Sequence, residues 1–158
     1  MGMRRSVGGL AIFAAFGLDQ LSKFWMLDWL SEVGSAAILP FFNLSLGFNT
    51  GVSFSLFAGL GQGTRWTLVA IAVGAAIFLS LLLWRTQSRL EMVGYGLMIG
   101  SALGNALDRV RLGAVVDFLD LHANGRHWPT FNLADSFLLL GVVLLLVVSR
   151  KPVPEPAR

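Results

Sequence analysis

Four stretches of this chain, residues 7–27, 66–84, 90–107 and 133–149, are strongly apolar and nearly free of charge. Each comes close to the roughly 20 residues that a helix needs to cross the hydrocarbon of a bilayer. In that medium every backbone N–H and C=O must find a partner inside the protein, so an apolar segment of this length is expected to be helical. Composition agrees: 55% of the residues are hydrophobic and 13% are charged, about half the charged share of a soluble domain. The mean hydropathy is +0.70. The expected fold is a mainly α membrane protein of four transmembrane helices, with outer-face segments over residues 28–65 and 108–132. The first of these is rich in Gly, Phe and Ser. Its alternation of Phe48, Val52, Phe54 and Leu56 with small polar residues suggests short strands lying on the membrane.

Charge sets the expected orientation. With the N-terminus inside, the inner side holds Arg4, Arg5, Arg85, Arg89, Arg150, Lys151 and Arg158 against Glu91 and Glu155. The outer side holds Arg65, Arg109, Arg111 and Arg126 against Asp28, Glu32, Asp108, Asp117 and Asp120. Lys and Arg favour the cytoplasmic side, so both termini are expected there. Residues 1–151 read as a single domain, and residues 152–158, with three prolines, as a disordered cytoplasmic tail. Arg4-Arg5 and the apolar run after them resemble a signal peptide. No small-residue cleavage site follows, and three more spans make an anchor the simpler reading. The halves show no repeat of the kind transporters use. The pI near 10.2 does not signal nucleic acid, because the basic residues never form a stripe. The absence of cysteine excludes disulfides, thiolate metal sites and cysteine nucleophiles. His122 and His127 are too few for a zinc site, and neither a metal nor a cofactor is expected.

Against this background the polar residues stand out, because ionisable groups at a membrane helix end are costly and mark function by default. Asp19 and Lys23 lie one helical turn apart and can pair. Asn49 and Gly51 lie in the first outer segment. Asn105, Asp108 and Arg109 share a face at the outer end of the third span, where Arg109 suits a carboxylate or a substrate oxygen. Gly96, Gly100 and Gly104, spaced by four, let a neighbouring helix approach closely and would hold Asn105 in place. Asp117 interrupts an apolar run, and Asp135 opens the fourth span three residues after Asn132. An Asp at a helix N-terminus caps it or favours its dipole. The topology, however, puts Asp117 and Asp135 at the same outer depth.

Two neighbouring carboxylates cannot both ionise cheaply, so the pair holds one proton over a range of pH. The ionised member can take a proton from a water placed between them, while the protonated member polarises a carbonyl or protonates a leaving amine. This is peptide hydrolysis without metal or covalent intermediate. The main rival is a proton-coupled transporter or channel, which predicts acidic groups spread through the membrane depth. A non-enzymatic scaffold has no need for two aspartates converging with three asparagines.

Gly104-Asn105-x-x-Asp108-Arg109, Val116-Asp117-Phe118 and Phe131-Asn132-x-Ala134-Asp135 resemble the signature of the lipoprotein signal peptidase (signal peptidase II) family. Asp19-x-x-x-Lys23 and Asn49-x-Gly51-x-x-Phe54 resemble its two N-terminal motifs. The five match in order over nearly the whole chain. Ser101-Ala102-Leu103, before Asn105, lacks an extra glycine associated with the family there. The resemblance implies an aspartic endopeptidase of the bacterial inner membrane, with its active site at the periplasmic face. It would remove the signal peptide from diacylglyceryl-modified prolipoproteins by cutting just before the lipid-modified cysteine. It implies Asp117 and Asp135 as the catalytic dyad and Asn49, Gly51, Asn105, Arg109, Asn132 and Asp108 as support and substrate contacts. Asp19 with Lys23 becomes a structural network. Membrane lipids and globomycin-like peptide antibiotics are the further partners it implies, and the protein is expected to act as a monomer. Residues 49–57 would form a β-rich extracytoplasmic cradle, and residues 120–130 a lid in the periplasmic loop.

Overall fold

The computed structural model describes residues 2–51 and 62–149, with side chains described for residues 6–51 and 63–149. The order of elements is α1 (Gly2–Val33), β1 (Ser35–Leu39), β2 (Phe42–Asn49), α2 (Gln62–Arg85), α3 (Arg89–Leu112), β3 (Val115–Ala123), β4 (Arg126–His127) and α4 (Leu133–Ser149). The protein is mainly helical, with a small antiparallel sheet in the order β1-β2-β3-β4. All four strands connect to the same end of the helices: the C-terminal ends of α1 and α3 and the N-terminal ends of α2 and α4. The strands run over residues 35–49 and 115–127, so the first outer segment carries β1 and β2, and of the cradle expected at residues 49–57 only residues 49–51 are described. Residues 52–57 lie outside the described residues, as does the tail 152–158.

α3 is the central helix and packs against α1, α2 and α4. Its ends follow from local sequence. Ser88 caps the start, accepting a hydrogen bond from the Glu91 N–H at 3.4 Å, and Gly113 closes the end in the left-handed region at φ 81°. Its packing follows from small residues. A methyl group built on Gly100 would stand 2.6 Å from the Ile12 carbonyl oxygen, and one on Gly96 would stand 2.7 Å from that of Gly8. On the α4 side, a methyl on Gly141 would stand 2.7 Å from the Gly94 carbonyl oxygen. Backbones this close gain dispersion contacts that bulkier residues would forbid, and such contacts hold helices together where lipid competes for apolar surface.

The outer surfaces of the helices are apolar. Phe13, Phe24, Ile71, Phe78, Trp84, Leu139 and Val147 are all more than half exposed. Patches on this scale are foreign to a protein surrounded by water. Two helical stretches, Ser6–Val33 and Gly63–Arg85, are both long and apolar enough to cross a membrane, and α4 is apolar but shorter. α1 runs six residues beyond the expected end of the first span, so Asp28 and Glu32 are helical rather than part of a loop. α3 runs five residues past position 107.

β2 and β3 pair with Gly47 opposite Asp117, Phe48 opposite Val116 and Asn49 opposite Val115, and an irregularity between Leu44 and Gly47 shifts the register. Side chains alternate along a strand, so Val115, Asp117 and Leu121 share one face of β3 while Val116, Phe118 and Asp120 take the other. The hairpin from β3 to β4 turns on Asn124 and Gly125, both at positive φ (50° and 73°), as a two-residue type I′ turn requires. The segment expected as a lid, residues 120–130, holds this hairpin. Its continuation returns along β3: the Trp128 N–H donates to the Leu121 carbonyl at 2.8 Å, and the Phe131 N–H to the Leu119 carbonyl at 3.1 Å.

Candidate active site

The five motifs meet at the end of the bundle that carries the sheet, and they form two linked clusters. The first lies between α1 and α3. Lys23 Nζ is 2.8 Å from Asp19 Oδ2 and 2.9 Å from Asp108 Oδ2, with all three side chains almost wholly buried. Asp19 Oδ1 also accepts the Ala134 N–H at 2.9 Å, and Asp108 Oδ2 accepts the Val116 N–H at 3.2 Å. One buried cation thus bridges two carboxylates, which in turn anchor the first turn of α4 and the start of β3. Gly104 makes this possible, because any side chain there would collide with the Asp19 carboxylate. Asp108, expected among the substrate contacts, faces Lys23 and joins this network. Gln20, which carried no motif signal, reaches Asp19 at 3.2 Å and Asp108 at 3.1 Å.

Asn105 connects the first cluster to the second. Its Oδ1 accepts from Lys23 Nζ at 2.8 Å and from Asn132 Nδ2 at 3.2 Å, and its Nδ2 donates to Asp135 Oδ1 at 3.1 Å. Asn132, fully buried, also donates to Asp117 Oδ1 at 2.6 Å. Its Oδ1 accepts the Asp135 N–H at 3.0 Å, and its own N–H donates to Asp135 Oδ2 at 3.4 Å, a reciprocal cap on the first turn of α4. Asn49 contributes a further hydrogen bond to Asp117. The two aspartates are therefore held by three asparagines from three different elements, and the amides leave each carboxylate with oxygen capacity to spare.

Asp117 is 2% exposed. Burial, reinforced by the negative charge of Asp135, pushes its carboxyl up to about 7, against the opposing pull of the hydrogen bonds from Asn132 and Asn49 and of the Lys23 charge. Arg109 bridges to the first outer segment: Nη2 donates to the Gly51 carbonyl at 2.7 Å and Nη1 to the Asn105 carbonyl at 3.2 Å. Its Nε is buried without a hydrogen-bond partner among the described residues. Gly51 also donates its N–H to Asn49 Oδ1 at 3.0 Å, which fixes the Asn49 side chain next to the pair. Phe54 of the same motif lies outside the described residues.

Both aspartates open into a cavity of about 1150 Å³. Its head carries Asn49, Asn105 and Arg109. One wall is the returning segment Trp128 to Phe131, and the rest is the apolar flank of α4 from Leu138 to Val143. A large, mostly apolar cavity with a few convergent polar groups and a carboxyl displaced from its ordinary range is the form a binding or catalytic site takes. Among the described residues no cluster of three or more His, Cys, Asp or Glu could hold a metal ion.

Fold and site together define a helical protein with lipid-adapted outer surfaces and a carboxylate pair, Asp117 buried and Asp135 half-buried, at one end. A family model described as signal peptidase (SPase) II matches residues 11–150. The chain belongs to that family and is a membrane-bound aspartic peptidase, as its motifs led us to expect. It is 41% identical over 145 residues to a lipoprotein signal peptidase of Beijerinckia indica, covering 90% of this chain and 87% of that one. To a lipoprotein signal peptidase of Methylorubrum extorquens it is 42% identical over 150 residues, covering 94% and 88%. Among solved structures, a bacterial membrane enzyme determined in meso at 1.9 Å superposes with a TM-score of 0.72 at 26% identity, covering 97% of this chain and 96% of that one. A second, at 2.3 Å, shares the fold with a TM-score of 0.76 at 24% identity, covering 100% and 96%. Nothing in these likenesses favours a transporter.

Proposed function

We propose that Asp117 and Asp135 form the catalytic dyad of an endopeptidase that removes the signal peptide from diacylglyceryl-modified prolipoproteins, cutting just before the lipid-modified cysteine. Family membership and the naming of relatives as lipoprotein signal peptidases support lipoprotein signal peptides as the substrate class. The observation that carries the reading is the place of the two carboxylates at the polar head of a cavity whose far wall is the apolar flank of α4. Acyl chains lie along Leu139 and Val143 in this reading, while the peptide crosses the head beneath Asn49 and Arg109.

The chemistry uses one proton on the pair. The ionised carboxylate takes a proton from the bridging water as the water oxygen attacks the scissile carbonyl carbon. The protonated carboxyl gives its proton to the carbonyl oxygen, producing a neutral gem-diol. The first carboxyl then protonates the amide nitrogen, the C–N bond breaks, and a hydroxyl of the diol returns its proton to the second. The signal peptide leaves with a new carboxyl group and the lipid-modified cysteine with a free amine, and the pair again holds one proton. Asn105, Asn132 and Asn49 keep the carboxylates in register through the cycle, and Arg109 offers its guanidinium to the substrate.

The same reading makes 1–151 a single domain of four spans, α1 to α4, in the bacterial inner membrane. Both termini lie in the cytoplasm and the sheet lies at the periplasmic face. The inner-side excess of Lys and Arg and the attachment of every strand to one end of the bundle support this orientation. The protein acts as a monomer among membrane lipids, and globomycin-like peptide antibiotics inhibit by occupying the dyad. The test is cleavage of a purified diacylglyceryl-modified prolipoprotein, followed by gel shift. Wild type should cut, and folded Asp117→Asn and Asp135→Asn should not. An intact substrate with folded wild type overturns the reading and turns attention to proton flux.

A further inference from the structure

On the face of β3 opposite Asp117 sits a third buried carboxylate that the chemistry above does not use. Asp120 is 5% exposed. Its Oδ2 accepts from Asn43 Nδ2 at 3.5 Å and from Ser45 Oγ at 3.4 Å, both on β2. The short contacts come from β4, where His127 Nδ1 lies 2.8 Å from Oδ1 and 2.9 Å from Oδ2. An ionised carboxylate only accepts, so the proton of this bond sits on Nδ1. The His127 ring in turn stacks on His122, with centroids 4.9 Å apart. Asp120 therefore ties β2, β3 and β4 together on the side of the sheet away from the dyad.

The tie matters because of the residues these strands carry or lead into. β2 ends at Asn49, β3 carries Asp117, and His127 immediately precedes Trp128, Pro129, Thr130 and Phe131, the wall of the substrate cavity. That wall leans on β3 through the Trp128 and Phe131 N–H groups, and Pro129 has no N–H to give. The wall is also close-set: a side chain on Gly47 would meet the Thr130 hydroxyl at 2.8 Å. A small rotation of β4 would move Trp128 and Thr130 relative to the carboxylates. It would leave the carboxylates in place, because Asn105 and Asn132 hold those from the helix side.

We propose that Asp120 and His127 are positioning residues that set the substrate-binding wall of the cavity, and so govern KM while leaving kcat nearly unchanged. This rests on the peptidase reading above. The test is steady-state cleavage of purified diacylglyceryl-modified prolipoprotein by the full chain in detergent, for wild type, His127→Ala, Asp120→Ala, the double variant and His127→Asn, with thermal midpoints recorded for each. A hydrogen bond to a charged partner, discounted because His127 is half exposed, leads us to expect a KM roughly five-fold higher for each alanine variant, with kcat within about two-fold. The double variant should be no worse than Asp120→Ala alone, since the contact with His127 is already lost there. Asn at 127 can present an amide N–H near the Nδ1 position, so His127→Asn should return KM towards wild type. Should Asp120→Ala fail to fold, His127→Ala alone decides. The inference is overturned if His127→Ala leaves KM unchanged, if kcat falls instead, if His127→Asn fails to rescue, or if the two alanine effects multiply. If wild type itself leaves the substrate intact, it is the peptidase reading that fails.

Discussion

Asp117→Asn should abolish turnover and at the same time make the protein more resistant to unfolding at alkaline pH. The ordinary carboxyl near 3.8 is pushed up to about 7 in the fold. A group raised in this way lends its full relative stability below the unfolded value and loses it as pH rises through the folded one. Between pH 5 and 7 the unfolded chain is ionised at this position and the folded chain is not. Each pH unit there costs about 1.4 kcal/mol, so the two units remove roughly 3 kcal/mol. Asparagine cannot ionise, so the variant lacks this slope. It keeps an acceptor for Asn132 Nδ2, but turns an amide donor towards Asn49, which costs about 1–3 kcal/mol at every pH. That static cost cancels when the variant is compared with wild type at two pH values. The measurement is thermal unfolding in detergent at pH 5 and pH 8.5. The midpoint of the variant should rise relative to wild type by roughly 6–10 °C from the first to the second. Activity should fall by roughly 10²–10⁴-fold, the usual worth of a positioned acid or base. Parallel midpoints at the two pH values would mean that Asp117 carries its charge in comfort. A relative loss of variant stability at pH 8.5 would reverse the sign and refute the argument outright.

Other outcomes rest on the same geometry. The pH profile of kcat/KM should fall on the alkaline side with an apparent pKa near 7, as the pair loses its one proton. In Asn132→Ala that limb should move to higher pH, because the 2.6 Å bond that favours the ionised form of Asp117 is gone. Lys23→Ala leaves Asp19 and Asp108 buried without their cation. It should cost about 3–5 kcal/mol, read as a collapse of folded yield in detergent at neutral pH. Gly100→Ala forces a methyl to 2.6 Å from the Ile12 carbonyl and should lower the thermal midpoint by an amount equivalent to about 1–3 kcal/mol. Gly17→Ala, with nothing within 4 Å, should be neutral or raise it.

The helices were legible because a bilayer leaves the backbone few choices, so a count of apolar residues already limits the fold. That Asp117 and Asp135 share one site was legible for a related reason: a carboxylate in an apolar run and another at the head of an apolar segment are expensive unless used. Less legible were the partners of each polar group. Asp108 and Arg109 share a helical face in the sequence, yet Asp108 turns to Lys23 and Arg109 to Gly51, a choice made by the approach of α1 over Gly100 and Gly104. Strands were expected in the first outer segment, where β1 and β2 do lie, but the pairing of β2 with β3 joins segments some 70 positions apart. No local pattern records such a pairing. Asp120 and His127 were passed over because each is unremarkable alone, and only the fold brings Asn43, Ser45 and His127 around one carboxylate.

The division of labour among the buried charges explains why so polar a site survives at the end of so apolar a bundle. Asp19, Lys23 and Asp108 pair one cation with two carboxylates and take further hydrogen bonds from the backbone of β3 and α4, so they act as a fastener. Among the described residues, no cation forms such an ion pair with Asp117 or Asp135. Their neighbours are amides, which orient a carboxylate without fixing its charge, and Arg109 spends two donors on backbone carbonyls. A cation in place of Asn132 or Asn105 would draw the Asp117 carboxyl back towards 3.8, removing the shared proton that the proposed hydrolysis needs. Three asparagines in the support of one carboxylate pair thus suit the proposed chemistry: enough hydrogen bonding to fix geometry, with too little charge to settle the proton's position.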